Sequence, residues 1–401
     1  MTANLIADRL RALLSARGLD AIIAYGGVNF GFLTGFQNYF DNPAASMAVL
    51  PADAAKGDFV IVANWVADAA RDATQVDDIV TFPLWLEIAD IEEIRAGRGE
   101  RRAKPVRYDV EGNIRLLARH LADRGLAKGG RIAIELNLVS AQVYRMLTTH
   151  CPDVEWIDAA DLFFELRRLK TPEQVEMLRE ATRFAEDGLT AVVSTPMLGR
   201  DVASLRLIYE RACNERAAAN PGCGFLGSRV TASVGGVISP TVMGGPRVAR
   251  GDLVFFDCGA SIRGYGSDTG RTIALDEPTR ESRAIMDALR RGMDAAFALV
   301  KPGARMCDIF HAGQDAVRAA GLDWYTRGHI GHAMGLGMGE MPPFLSPKEE
   351  RPLEPGMVMA LETPLYVRGL GGFQIEECFL VTDSGYDLLT TLPRDFLRGA
   401  A

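Results

Sequence analysis

The stretch 251–273, GDLVFFDCGASIRGYGSDTGRTI, carries Asp257 and Asp268 on what its pattern predicts to be one hairpin. Residues 253–256 form an apolar and aromatic run with strand character, 259–264 supply a turn, and a second strand leads out through Thr272. With the turn centred on Ile262 and Arg263, the two carboxylates stand directly opposite each other, their Cβ atoms roughly 4.5–5.5 Å apart on one face. Such a pair repels, and a half-buried sheet tolerates it only with a cation between its members or a proton on one of them. A second hairpin, LETPLYVRGLGGFQIEECFLV, repeats the arrangement, because a turn centred on Gly369 sets Glu362 opposite Glu376. His332, in GHAMGLGMGE, adds an imidazole. Four carboxylates and one imidazole suit two divalent cations that share bridging carboxylates, with an oxygen-rich shell favouring Mn, Co, Fe or Zn.

The elements that must position these residues form a weak repeat. Helical patterns over 172–193 and 202–217 precede the aspartate hairpin, and helical patterns over 280–299 and 306–320 precede the glutamate hairpin. Two helices followed by a ligand-bearing hairpin, used twice, predict a pseudo-twofold α+β domain whose hairpins join one sheet, with the acids meeting near its axis. Thr171, Pro172 and Gln174 together read as a capping box that opens the first of these helices. Upstream the pattern alternates: helix 6–16, strand 20–25, strand 59–62, helix 65–72, strand 79–82, helix 114–124, strand 131–135 and helix 141–150. This predicts a smaller α/β domain over 1–160, ahead of a metal-binding domain over 161–401.

Composition excludes several classes of function. The chain has 401 residues, 48% of them apolar and 24% charged, which is ordinary for a globular protein of two domains. A net charge of -8 and the absence of any arginine run longer than two argue against a nucleic-acid partner. No stretch reaches 18 apolar residues, and the start lacks a basic segment followed by an apolar run, so the reading is a cytoplasmic protein with no membrane association. Six cysteines without a CxxC pattern read as reduced thiols. His120 and His150 fall singly on predicted helices and read as structural.

The order FDCG, GSDTGRT, GHAMGLGMGE, LETPLY and FQIEECFLVTDSG resembles the pita-bread metallopeptidases, the family of Xaa-Pro aminopeptidases, prolidases and methionine aminopeptidases. The resemblance extends through the segment 161–178 toward the creatinase and prolidase branch. It implies a pita-bread catalytic domain behind a creatinase-like N-terminal domain. It also implies that Asp257 binds one metal, that His332 and Glu362 bind the other, and that Asp268 and Glu376 bridge both. Glu362 would serve as ligand and base, Tyr366 as a proton donor on the same face, Glu340 as a match to a family glutamate, and His329 as an approach from the loop. The implied activity is hydrolysis of a C–N bond in a dipeptide or other small substrate by metal-activated water. The alternative is small-molecule chemistry on the same fold, either a metal-dependent lyase of the dimethylsulfoniopropionate type or a creatinase- or ectoine-hydrolase-like amidohydrolase.

The chain departs from these relatives at two positions. Where the aminopeptidases place two substrate-contacting histidines it has Pro240 and Gly339, and no histidine lies between His150 and His311. Losing one preorganised oxyanion donor costs roughly two to three powers of ten in rate, so poor turnover of Xaa-Pro dipeptides is expected. Arg229 and Arg247, in the glycine-bearing run 227–250, are candidates to clamp a substrate carboxylate. The two-domain relatives also imply a homodimer. Light scattering should then give about twice the 43.5 kDa chain mass at micromolar concentration, and a monomer mass would refute the pairing.

Overall fold

The computed structural model describes residues 2–37, 44–84, 90–97, 109–236, 245–337 and 341–400. They form two compact units, Met1–Leu166 and Arg167–Ala401. In the first, six strands run in the order Asp78–Phe82, Phe59–Ala63, Ser46–Pro51, Ala21–Tyr25, Arg131–Ile134 and Glu155–Asp158. Ser46–Pro51 is antiparallel to both neighbours, while the other pairings are parallel. Every residue of Ala21–Tyr25, Ser46–Pro51 and Phe59–Ala63 is buried, which explains their apolar character apart from Ser46. That same character hides Ser46–Pro51 from a search for alternation, since a fully buried strand has no polar face.

The second unit is built on a ten-stranded sheet whose main path runs Met341–Phe344, Gly331–Ala333, Val358–Glu362, Ile375–Val381, Thr269–Ala274, Leu253–Ile262 and Phe225–Val234. Both acid-bearing hairpins lie in this one sheet, and they meet where Thr269–Ala274 pairs with Ile375–Val381. Helices Pro172–Ser194 and Val202–Ala219 cover one half. Their Phe184, Leu189 and Tyr209 pack with Val254, Phe256 and Cys258. Helices Arg280–Phe297 and Met306–Ala319 cover the other half through Leu289, Met293 and Phe310, against Met359, Leu361 and Phe379. The predicted capping box is present, with Gln174 N–H donating to Thr171 Oγ1 and Thr171 N–H donating to Gln174 Oε1.

Strand alternation sorts the acids by face. Phe256, Ile375 and Phe379 belong to the cores under the helices, so Asp257, Glu362 and Glu376, at the alternate positions, point the other way. Arg271 and Glu377 fall on the helix side and are 0% and 2% exposed. Arg271 donates from Nη2 to Glu377 Oε1 at 3.0 Å and to the Leu392 carbonyl at 2.8 Å. Its Nε reaches the Pro393 carbonyl at 2.9 Å, and Nη1 reaches the Glu376 carbonyl at 2.7 Å. The buried guanidinium thus ties the C-terminal segment to the back of the strand that carries Glu376. Arg271→Met removes the buried guanidinium from Glu377 and from these carbonyls, while Arg394 Nε still donates to Glu377 Oε1 at 3.2 Å, so the unfolding free energy should fall by about 3 kcal/mol in urea titration.

Candidate metal centre

The aspartate hairpin turns one position later than the sequence pattern suggests. Ile262 pairs with Tyr265, leaving Arg263 and Gly264 as a two-residue turn with φ of +50° and +86°. Positive φ at both central positions is the type I′ geometry that matches strand twist, and Gly264 adopts it without strain. Asp257 consequently pairs with Gly270, and Asp268 becomes its diagonal neighbour on the same face rather than its direct opposite. The glutamate hairpin has the expected register, with Glu362 opposite Glu376 and Tyr366 opposite Gly372 around Gly369.

Gly270 stands at the centre of the cluster, since it pairs with Asp257 on one side and with Glu376 on the other. A Cβ there would come within 2.1 Å of Gln374 Cγ. The missing side chain leaves room for Gln374, whose Nε2 donates to Glu362 Oε2 and Glu376 Oε2, each at 3.2 Å. Sequence reasoning missed Gln374. Its signal is spacing, because a residue two before Glu376 on a strand shares its face.

Asp268, His332 and Glu376 converge. Each offers a ligand atom, and those atoms lie within 4.8 Å of one another in a fully buried setting. His332 Nε2 is 3.8 Å from Asp268 Oδ2 and 3.8 Å from Glu376 Oε1, too far for hydrogen bonds and suitably spaced around a cation. Burial raises the pKa of Asp268 well above the usual carboxylate range, and the charges of Glu376 and Asp257 raise it further. Glu376 is raised in the same way by burial, then by Asp257 and Glu362. Two buried acids that resist ionisation together, beside an imidazole, are what a divalent cation would relieve.

The other two acids face guanidinium groups. Arg229 Nη1 donates to Asp257 Oδ1 at 2.9 Å, and its Nη2 donates to Asp268 Oδ1. Arg327 Nη2 donates to Glu362 Oε1 at 2.8 Å. Arg229 belongs to the site, as a partner of the acids, whereas Arg247 donates to the Gly199 carbonyl at 2.7 Å and takes no part in the cluster. Arg327 was not singled out by sequence, since nothing in its local pattern sets it apart from a surface arginine. His329 Nδ1 is 3.7 Å from Glu362 Oε1, and its ring centroid is 5.3 Å from that of Phe344. Tyr366 packs edge-on against Phe255 at 5.4 Å between centroids. Burial, then the Glu362 charge, push its hydroxyl pKa up, so it stays protonated and able to donate. Glu340, Pro240 and Gly339 lie outside the described residues.

The description "Metallopeptidase family M24" matches residues 176–383, more than half of the chain. The chain belongs to this family. Residues 7–169 match the "Creatinase/Prolidase N-terminal domain", so this M24 protein also carries that domain ahead of the metallopeptidase unit. It is 23% identical over 391 residues to the uncharacterized peptidase YqhT of Bacillus subtilis, covering 97% of this chain and 99% of that one. It is 27% identical over 237 residues to an Xaa-Pro dipeptidase of Pyrococcus furiosus, covering 59% of this chain and 67% of the relative. Among solved structures, the Xaa-Pro dipeptidase from Bacillus anthracis superposes with a TM-score of 0.80 at 22% identity, over 98% of this chain and 99% of that one. The prolidase from Pyrococcus furiosus gives 0.74 at 20% identity, over 96% and 99%. Likeness at these identities establishes the pita-bread fold, and family membership establishes a metal-dependent hydrolase.

Asp268 is the acid that faces both His332 and the guanidinium of Arg229. A metal-stripped sample should gain thermal stability on adding Mn, and Asp268→Ala should abolish both that gain and the bound metal. Differential scanning fluorimetry and elemental analysis check this, and a variant that keeps full occupancy would remove Asp268 from the ligand set.

Proposed function

We propose that this M24 protein hydrolyses the C–N bond of a small substrate of the Xaa-Pro dipeptide class, using the cluster on the sheet face as its active site. The observation that carries the reading is the convergence of Asp268, His332 and Glu376 within 4.8 Å, with Glu362 opposite Glu376. One imidazole among carboxylates suits Mn, Co, Fe or Zn. Asp257 completes a second position of the expected two-ion set only with Arg229 displaced, since that guanidinium holds both aspartates. Asp268, His332 and Glu376 would hold a divalent ion, whose chemistry there would be Lewis-acid polarisation of a carbonyl and acidification of water.

The chain's own groups supply the remaining work. Glu362 is the candidate to accept the proton of the attacking water. Tyr366, held against Phe255 and kept protonated, is the candidate donor to the developing oxyanion or leaving nitrogen. His329, with Nδ1 3.7 Å from Glu362 Oε1, is the candidate to orient that carboxylate or the substrate. Glu340 is retained as a candidate from the sequence alone. Family membership supports hydrolysis over elimination. No helix among the described residues is long and apolar enough to cross a membrane, and a cytoplasmic homodimer belongs to the same proposal.

The test is steady-state kinetics of the Mn- or Co-loaded protein on Gly-Pro, Ala-Pro and short amides. Metal-dependent turnover is expected, with kcat/KM below about 10⁴ M⁻¹s⁻¹, the lower end of typical enzymes, because the two family histidines are absent. No turnover on any of these with metal bound would overturn the reading. Tyr366→Phe should lower kcat by roughly a hundredfold or more while leaving bound metal unchanged, since its hydroxyl is a donor and not a ligand.

A further inference from the structure

Arg229 lies on the strand Phe225–Val234, opposite Gly259, while Thr231 of the same strand lies opposite Asp257. Two residues along a strand return to the same face, so the Arg229 side chain runs diagonally toward Asp257 past a position with no side chain of its own. The guanidinium then spans both aspartates, Nη1 on Asp257 Oδ1 and Nη2 on Asp268 Oδ1. Asp268 divides its two oxygens: Oδ1 meets Arg229, and Oδ2 faces His332 Nε2 at 3.8 Å. The buried ligand trio is Asp268, His332 and Glu376, and Asp257 is not in it.

We propose that Arg229 permanently occupies the place of a second metal ion, so that the chain binds one divalent ion, at Asp268, His332 and Glu376. The inference rests on the metal-dependent reading of the site and refines it. An ion about 2.0–2.2 Å from the same Asp257 and Asp268 oxygens would have to share the space that Nη1 and Nη2 fill. Charge leads to the same count. Four carboxylates are balanced by the guanidinium groups of Arg229 and Arg327 together with one divalent ion, and a second ion would leave the buried cluster with an excess of positive charge. Arg229 is thus a fixed monovalent cation that holds the aspartate pair together, and the ion bears on one side of Asp268 only.

The experiment counts ions. The full-length chain is stripped with a chelator, titrated with Mn²⁺ by calorimetry, and assayed by elemental analysis and electron paramagnetic resonance. One Mn per chain with an uncoupled signal is expected for the native protein, and about two with an exchange-coupled signal for Arg229→Ala. Asp257→Asn, which keeps the arginine and the shape of the site, should still bind one Mn, and this arm stands if Arg229→Ala fails to fold. Two Mn in the native protein, a fall from two to one in Asp257→Asn, or a folded Arg229→Ala that stays at one would each overturn the assignment to Arg229 and leave the metal-dependent reading intact. A native protein that binds none would overturn both.

Discussion

The mutual repulsion of acids gathered on one sheet face governs the organisation of the second unit. Asp257 and Glu376 both flank Gly270, Glu362 is opposite Glu376, and Asp268 is diagonal to Asp257. Asp268, Glu362 and Glu376 are buried, so water screens their charge poorly. Every neighbouring feature supplies compensation. Arg229 and Arg327 bring guanidinium groups, Gln374 donates to both glutamates, and His332 closes the space in which a divalent ion fits.

Holding such a cluster requires a rigid support behind it. The strands that carry the acids pack their alternate residues into two apolar cores, one under each helix pair. At the seam between the halves the support is polar. Arg271 is completely buried and bonded to Glu377 and to the carbonyls of Glu376, Leu392 and Pro393. Nearby, the Cys378 thiol donates to the Asp268 carbonyl at 2.7 Å. The backbone positions of Asp268 and Glu376 are therefore fixed by buried contacts, which limits how far the acids can retreat from one another.

Much of this was legible in the chain itself, because it depends on periods and turns. The acid pairs on Gly-turn hairpins, the capping box at Thr171 and the doubled helix–helix–hairpin pattern are local signals, and the glutamate register follows from counting around Gly369. The aspartate register needed more. Whether the turn is centred before or after Arg263 depends on which residues accept positive φ, and a shift of one residue in the centre moves each pairing by two positions while leaving the face unchanged. The acids therefore reach the same face even though their pairing differs.

Residue types and strand period by themselves determined that two pairs of acids share the faces of two hairpins and that each pair needs a cation or a proton, since like charges on one face repel. Tertiary structure alone decided which side chains meet the acids: Arg229 reaches Asp257 and Asp268, and Arg327 reaches Glu362. Arg229 and Arg327 come from a neighbouring strand and a loop, and a long flexible side chain leaves no periodic trace of where its guanidinium ends. Only packing sets Arg247 on the Gly199 carbonyl and Arg229 on the aspartates, although both lie in one short stretch of sequence. Long-range placement of charge depends on which strand becomes the neighbour, and a linear sequence states that only through the whole fold.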